Sequence, residues 1–192
     1  MKDGTLAIVS AATAQEVCRR FAVGEEAGRL LRADMTPRQY LDLLVETELF
    51  VDAARFLAHA LPKREAVSWA FQCARQAHGA NPPAAVAAAL DATQKWVADP
   101  SEENRRAAFA AAEAADFGTP AGCAAVAAFW SGGSLGPPHV PVIPPGEQLT
   151  ANGVAGAVML AVVLTEPEKA PEKYRRFLGE GIELANGSPR TK

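Results

Sequence analysis

Residues 117–165 read FGTPAGCAAVAAFWSGGSLGPPHVPVIPPGEQLTANGVAGAVMLAVVLT, and Glu147 is the only formal charge among them. Two apolar stretches, 120–131 and 150–164, flank a proline-rich connection. Small residues dominate both stretches: Gly122, Ala124, Ala125, Ala127 and Ala128 in the first, Ala151, Gly153, Ala155, Gly156, Ala157 and Ala161 in the second. Small side chains let helix backbones approach closely. The reading is a central helical hairpin around which the charged remainder packs. The longest apolar run, 154–164, spans about 16 Å as a helix and falls short of the roughly 30 Å of a bilayer core.

The connection, residues 131–149, opens with Gly132 and Gly133, which end the first helix. Prolines 137, 138, 141, 144 and 145 then impose extended polyproline geometry and remove amide donors. Val140, Val142 and Ile143 stand between the prolines. Their apolar character favours a loop docked across the body, its side chains in grooves, over an exposed ligand of the PxxP type.

Outward from this segment, helix starts are legible. Thr13 with Glu16, Thr36 with Gln39 and Asp99 with Glu102 have the spacing of capping boxes. Thr119-Pro120 and Thr150-Ala151 are weaker starts, and Ala170-Pro171-Glu172 opens the last helix. Between them the apolar spacing is helical, as in Phe50, Ala53, Ala54, Leu57 and Leu61, or Tyr174, Phe177, Leu178, Gly181 and Ala185. Asn186-Gly187 reads as a left-handed C-cap. No segment alternates with period two, so no sheet is expected. The fold class is all-α: one compact multi-helix bundle of about eight to ten helices, at 14–21, 25–33, 37–46, 48–60, 63–78, 83–98, 100–116, 120–131, 150–164 and 170–185. It forms a single domain over 1–186, with an N-terminal arm at 1–12 and a disordered tail at 187–192.

Composition narrows the function. The 192 residues are 49% hydrophobic and 21% charged, with a net charge of −3. That is a globular balance, and it lacks the basic excess that nucleic acid binding requires. Alanine makes up about a fifth of the chain, a helix-forming bias. Cys18, Cys73 and Cys123 are too far apart for a zinc site or a disulfide framework, which fits a reducing compartment. Asp3 offsets Lys2, and the apolar run 6–12 barely reaches the roughly 7 residues of a signal-peptide core, so a cytoplasmic location is expected.

The motifs that suggest chemistry fail on context. Gly132-Gly133-Ser134-Leu135-Gly136 matches G-x-S-x-G, but that elbow needs a strand before it and a helix after it; here a helix precedes and prolines follow. His59, His78 and His139 have no partner at metal-ligand spacing. Cys18 adjoins Arg19 and Arg20, which would favour a thiolate, though a buried apolar role fits better. Glu102 and Arg106 form an ordinary i,i+4 pair, and Lys173, Arg175 and Arg176 a small basic face.

The runs DPSEENRRAA (99–108), GTPAG (118–122) and FWSGGS (129–134), with LPKREAVSWAFQCAR (61–75) and LTANGVAGAVMLAVV (149–163), resemble an uncharacterised bacterial helical family. That resemblance, over roughly the C-terminal two thirds, implies an accessory or adaptor protein without known catalytic residues, associated with gene clusters of type VI secretion. The N-terminal third carries no such likeness.

The expectation is a non-enzymatic interaction protein, without cofactor or metal, that holds a protein partner. Its anchors would be Trp130, Leu135, Pro138, Val140, Pro141, Val142 and Ile143, since large apolar side chains dominate interface energy. The alternatives are a small-ligand-binding or enzymatic helical protein, with a pocket between helices, and a membrane-associated hairpin over 119–165.

Overall fold

The structure is a computed structural model and describes residues 6–137 and 139–187. It is all-α. The helices are α1 (Ala14–Cys18), α2 (Glu25–Leu30), α3 (Pro37–Glu46), α4 (Phe50–Ala60), α5 (Lys63–His78), α6 (Ala84–Ala98), α7 (Glu102–Ala115), α8 (Pro120–Phe129), α9 (Leu149–Val163) and α10 (Ala170–Ala185), the last preceded by a 3₁₀ turn at Pro167–Lys169. No strand occurs among the described residues.

The charge-poor pair sits at the centre. α8 packs against α5, α6, α7 and α9, while α9 packs against α4, α5, α8 and α10. Nearly every residue of α8 is buried. The close approach has a definite point: a Cβ on Gly153 would lie 2.9 Å from the Ala127 Cβ and 3.3 Å from the Trp130 ring. Lower down, Gly156 lies against Cys123. The two helices are therefore antiparallel, with the connection at one end and the exposed Phe117, Val163 and Leu164 at the other.

The ends of the elements follow local chemistry. Thr36 makes the full capping box with Gln39. Thr119 caps α8 by accepting from the Gly122 amide at 3.0 Å. At Thr13 the hydroxyl accepts from the Glu16 amide, but the Glu16 carboxylate takes the Ala12 amide, one residue early. Two expected starts are corrected. Ser101 is the N-cap of α7, and Asp99 instead accepts from the Asn104 side chain. Gln148 precedes α9, which puts Thr150 inside the first turn. Helices α1 and α2 stop at Cys18 and Leu30, shorter than the expected 21 and 33.

The outer elements are tied on by buried bonds. Residues 6–12 dock on the end of α10: Leu6 is buried, and the Ile8 amide donates to the Ala185 carbonyl at 3.1 Å. Tyr40 donates to the Ala27 carbonyl at 2.8 Å, and the Trp69 indole to the Phe177 carbonyl at 2.8 Å. Pro138 and the tail beyond Gly187 lie outside the described residues, and with them the expectation of a disordered tail.

Candidate functional site

The connection between α8 and α9 is where the apolar segment meets water. It begins under a guanidinium. Arg105, on α7, is only 4% exposed. Its Nη1 donates to the Phe129 carbonyl at 2.6 Å, at the end of α8, and its Nη2 to the Ser134 carbonyl at 2.9 Å. Nε and Nη2 also reach the two Glu102 carboxylate oxygens, at 2.6 and 2.8 Å. The cation lies 4.5 Å from the Phe129 ring centroid, within cation–π reach. Every fork of the side chain is thus used, the arrangement that makes a buried arginine tolerable.

Neighbouring cations continue the clamp. Arg106 donates to the Gly136 carbonyl at 3.0 Å, and Lys63 to the Ser131 carbonyl at 2.9 Å. Together these cations satisfy carbonyls at the C-terminus of α8 and just beyond it, where positive charge suits the helix dipole. Gly133, at φ +64°, lies directly over Arg105; a Cβ there would come within 2.9 Å of the guanidinium. Glu102, held by the Arg105 hydrogen bonds and then by Arg106, has its carboxyl pKa lowered to about 2.

The loop then folds on itself. The Leu135 amide donates to the Ile143 carbonyl at 2.8 Å. The Ser134 hydroxyl accepts from the amides of Gly136 and Ile143, each at 3.1 Å. Ser134 is therefore a structural acceptor within the G-x-S-x-G match, and His139 stands exposed beyond it.

The expected docked course is overturned. Val140, Val142 and Ile143 are 42%, 74% and 54% exposed. Pro141 is exposed as well. The root is occupied by arginine-held carbonyls; beyond it the chain turns back, the Val140 amide donating to the Pro137 carbonyl at 3.3 Å, so Val140 and Ile143 cover only Gly136 of the loop itself and stay largely in water. Val140 and Val142 edge an open groove of about 550 Å³, whose other wall is Glu102, Glu103 and Arg106 of α7. Of the other expected anchors, Leu135 is half-buried at the root. Trp130 is half-buried and packs against the core beside Gly153. Trp130 thus belongs to the helical pair and not to the exposed tip.

Sequence reasoning missed Arg105. It paired Glu102 with Arg106, and that pair exists, with Arg106 Nε 2.7 Å from Oε1. The signal for Arg105 was the helical register, which puts it one turn before Phe109 on the inner face of α7.

The remaining reactive groups are quiet. Cys18 is buried, as its apolar neighbours suggested, and its thiol is pushed up to about 11, chiefly by that burial. Burial also raises Cys73 and Cys123. Lys173 is spent on carbonyls at the end of α9, and Arg175 pairs with Glu48. Among the described residues no cluster of His, Cys, Asp or Glu could hold a metal ion, and no single helix is long and apolar enough to cross a membrane.

Comparison with known families matches residues 40–185 to a family of unknown function, DUF6931, and the chain belongs to that family. No curated protein and no solved structure matches it.

Proposed function

We propose that this protein is a non-enzymatic interaction protein that binds a partner protein through the loop between α8 and α9. Val140, Val142 and Ile143 are the contact residues, with Pro141 fixing the backbone between them. The supporting observation is the contrast within the loop: its root is clamped by Arg105, Arg106 and Lys63, while its apolar tip projects beside an open groove. Exposed apolar surface next to charged rims is the usual character of a protein contact. The resemblance of 99–108, 118–122 and 129–134 to a bacterial family associated with type VI secretion supports an accessory role in such a system, acting in the cytoplasm.

The test is affinity capture from the native host with the wild type and with the double variant Val142→Asp, Ile143→Asp. The proposal expects the double variant to lose specific partners while keeping its helical circular dichroism. An unchanged set of captured proteins removes the loop as the contact.

A further inference from the structure

A second concavity lies apart from the exposed loop tip. It encloses about 280 Å³ between the end of α1, the C-terminus of α4, the start of α5 and the start of α9. Its walls carry three cations, Arg19, Arg20 and Lys63, against one acid, Glu147. Arg20 is held in place by donating to the His59 carbonyl at 2.8 Å, and Lys63 by its bond to Ser131. Both retain further N–H donors, because an arginine has five and a lysine three.

Two helices begin at this cleft without a side-chain cap: α5, after Pro62, and α9, after Gln148. In the first turn of α9 the amides of Thr150 and Ala151 have no backbone or side-chain acceptor among the described residues. The independent observation is Thr150 itself. It is 2% exposed, it lines the cleft, and its hydroxyl oxygen has no hydrogen-bond partner among the described residues. A threonine in a first turn ordinarily finds a nearby acceptor, and a buried hydroxyl left unpaired is costly. Donors outnumber acceptors around it: the Thr150 and Ala151 amides, Arg19, Arg20 and Lys63 stand against the single carboxylate of Glu147, so the site has donors to spare for an added acceptor.

We infer that this cleft binds a small molecule through a phosphate-class oxyanion, seated on the first turn of α9. The Thr150 hydroxyl and the Thr150 and Ala151 amides donate to it, and Arg19, Arg20 and Lys63 neutralise it. Three cations and three neutral donors exceed what a singly charged, two-oxygen carboxylate can use. His59 does not compete: it is stacked on Phe21 at 4.8 Å, its Nε2 lies 3.3 Å from the Asn152 side-chain Oδ1, and burial lowers its pKa.

The test is titration of the full chain with inorganic phosphate and pyrophosphate at constant ionic strength, with acetate and chloride as comparisons, followed by calorimetry and by amide chemical shifts. Saturable binding is expected, with the largest shifts at Thr150 and Ala151. The Arg19 side chain is exposed and makes no hydrogen bond or ion pair among the described residues, so Arg19→Gln, which keeps the backbone cap of α1, should stay folded and weaken binding about tenfold. Thr150→Val should weaken binding several-fold yet leave the free protein as stable as the wild type or more so, because it removes an unpaired buried hydroxyl. No saturation by either phosphate overturns the site. Equal affinity for acetate overturns the phosphate assignment, and unchanged affinity in both variants places any binding elsewhere.

Discussion

Helices α8 and α9 and the loop that joins them share one composition, apolar and almost free of charge, yet they meet opposite fates. The helices are sealed on most sides, while the loop exposes Val140, Val142 and Ile143. Backbone accounting explains the difference. A helix satisfies its own amides and carbonyls, so it can be buried wherever neighbours fit it. A proline-rich strand of chain has few donors and unpaired carbonyls, which stay in water unless something else supplies donors. Arg105, Arg106 and Lys63 supply them at the root alone. Absence of charge therefore marks where this molecule is dry only when the backbone is helical.

The contrast can be broken or sharpened in graded ways. The largest effect is expected from Arg105→Met, which leaves the Phe129 and Ser134 carbonyls without their donor inside a packed junction. It should cost about 3 kcal/mol in urea unfolding and free the loop from α7. A weaker effect would show that water replaces the guanidinium. Next comes Gly153→Val at the crossing of α8 and α9, where the added atoms meet Ala127 and Trp130. Overpacking there should cost about 2 kcal/mol by the same measurement.

A smaller effect should appear with acid. Glu102 is depressed in the folded state from 4.5 to about 2, so its favourable interaction is complete above about 4.5 and disappears as pH falls toward 2. The stability gap between wild type and Glu102→Gln should therefore narrow over that window and stay constant above it. Because Glu102 is half in solvent, the gap itself should be small. Smallest of all is the stability change from Val142→Asp with Ile143→Asp, within about 0.5 kcal/mol, since both side chains already face water. A large loss would mean that the loop tip is part of the core after all.

The sequence carried the fold further than it carried the site. Thr36 and Thr119 announced their helices because a hydroxyl three residues before a free amide has one obvious use. The same logic misread Thr150, where Gln148 begins the helix and leaves the hydroxyl inside the first turn. The small-residue faces disclosed the close pair correctly, since alanine and glycine at helical spacing have few other purposes. The exposure of Val140, Val142 and Ile143 was not legible. An apolar side chain on an extended segment reads the same whether a groove receives it or water does. Arg105 was hidden for a related reason: beside Arg106 it looked like one more solvated charge, and only the end of α8 beneath it makes it structural. The likeness of three short motifs to an uncharacterised family pointed the right way, and the match begins as early as Tyr40.

The guanidinium of Arg105 has one more consequence. By gripping α7, the last carbonyls of α8 and the first of the loop at once, it presents the tip from a preset stance. A segment already held in shape surrenders little chain freedom when something seats against it, so more of the contact energy survives as affinity. A few aliphatic side chains on such a mount go further than the same residues on a slack tether.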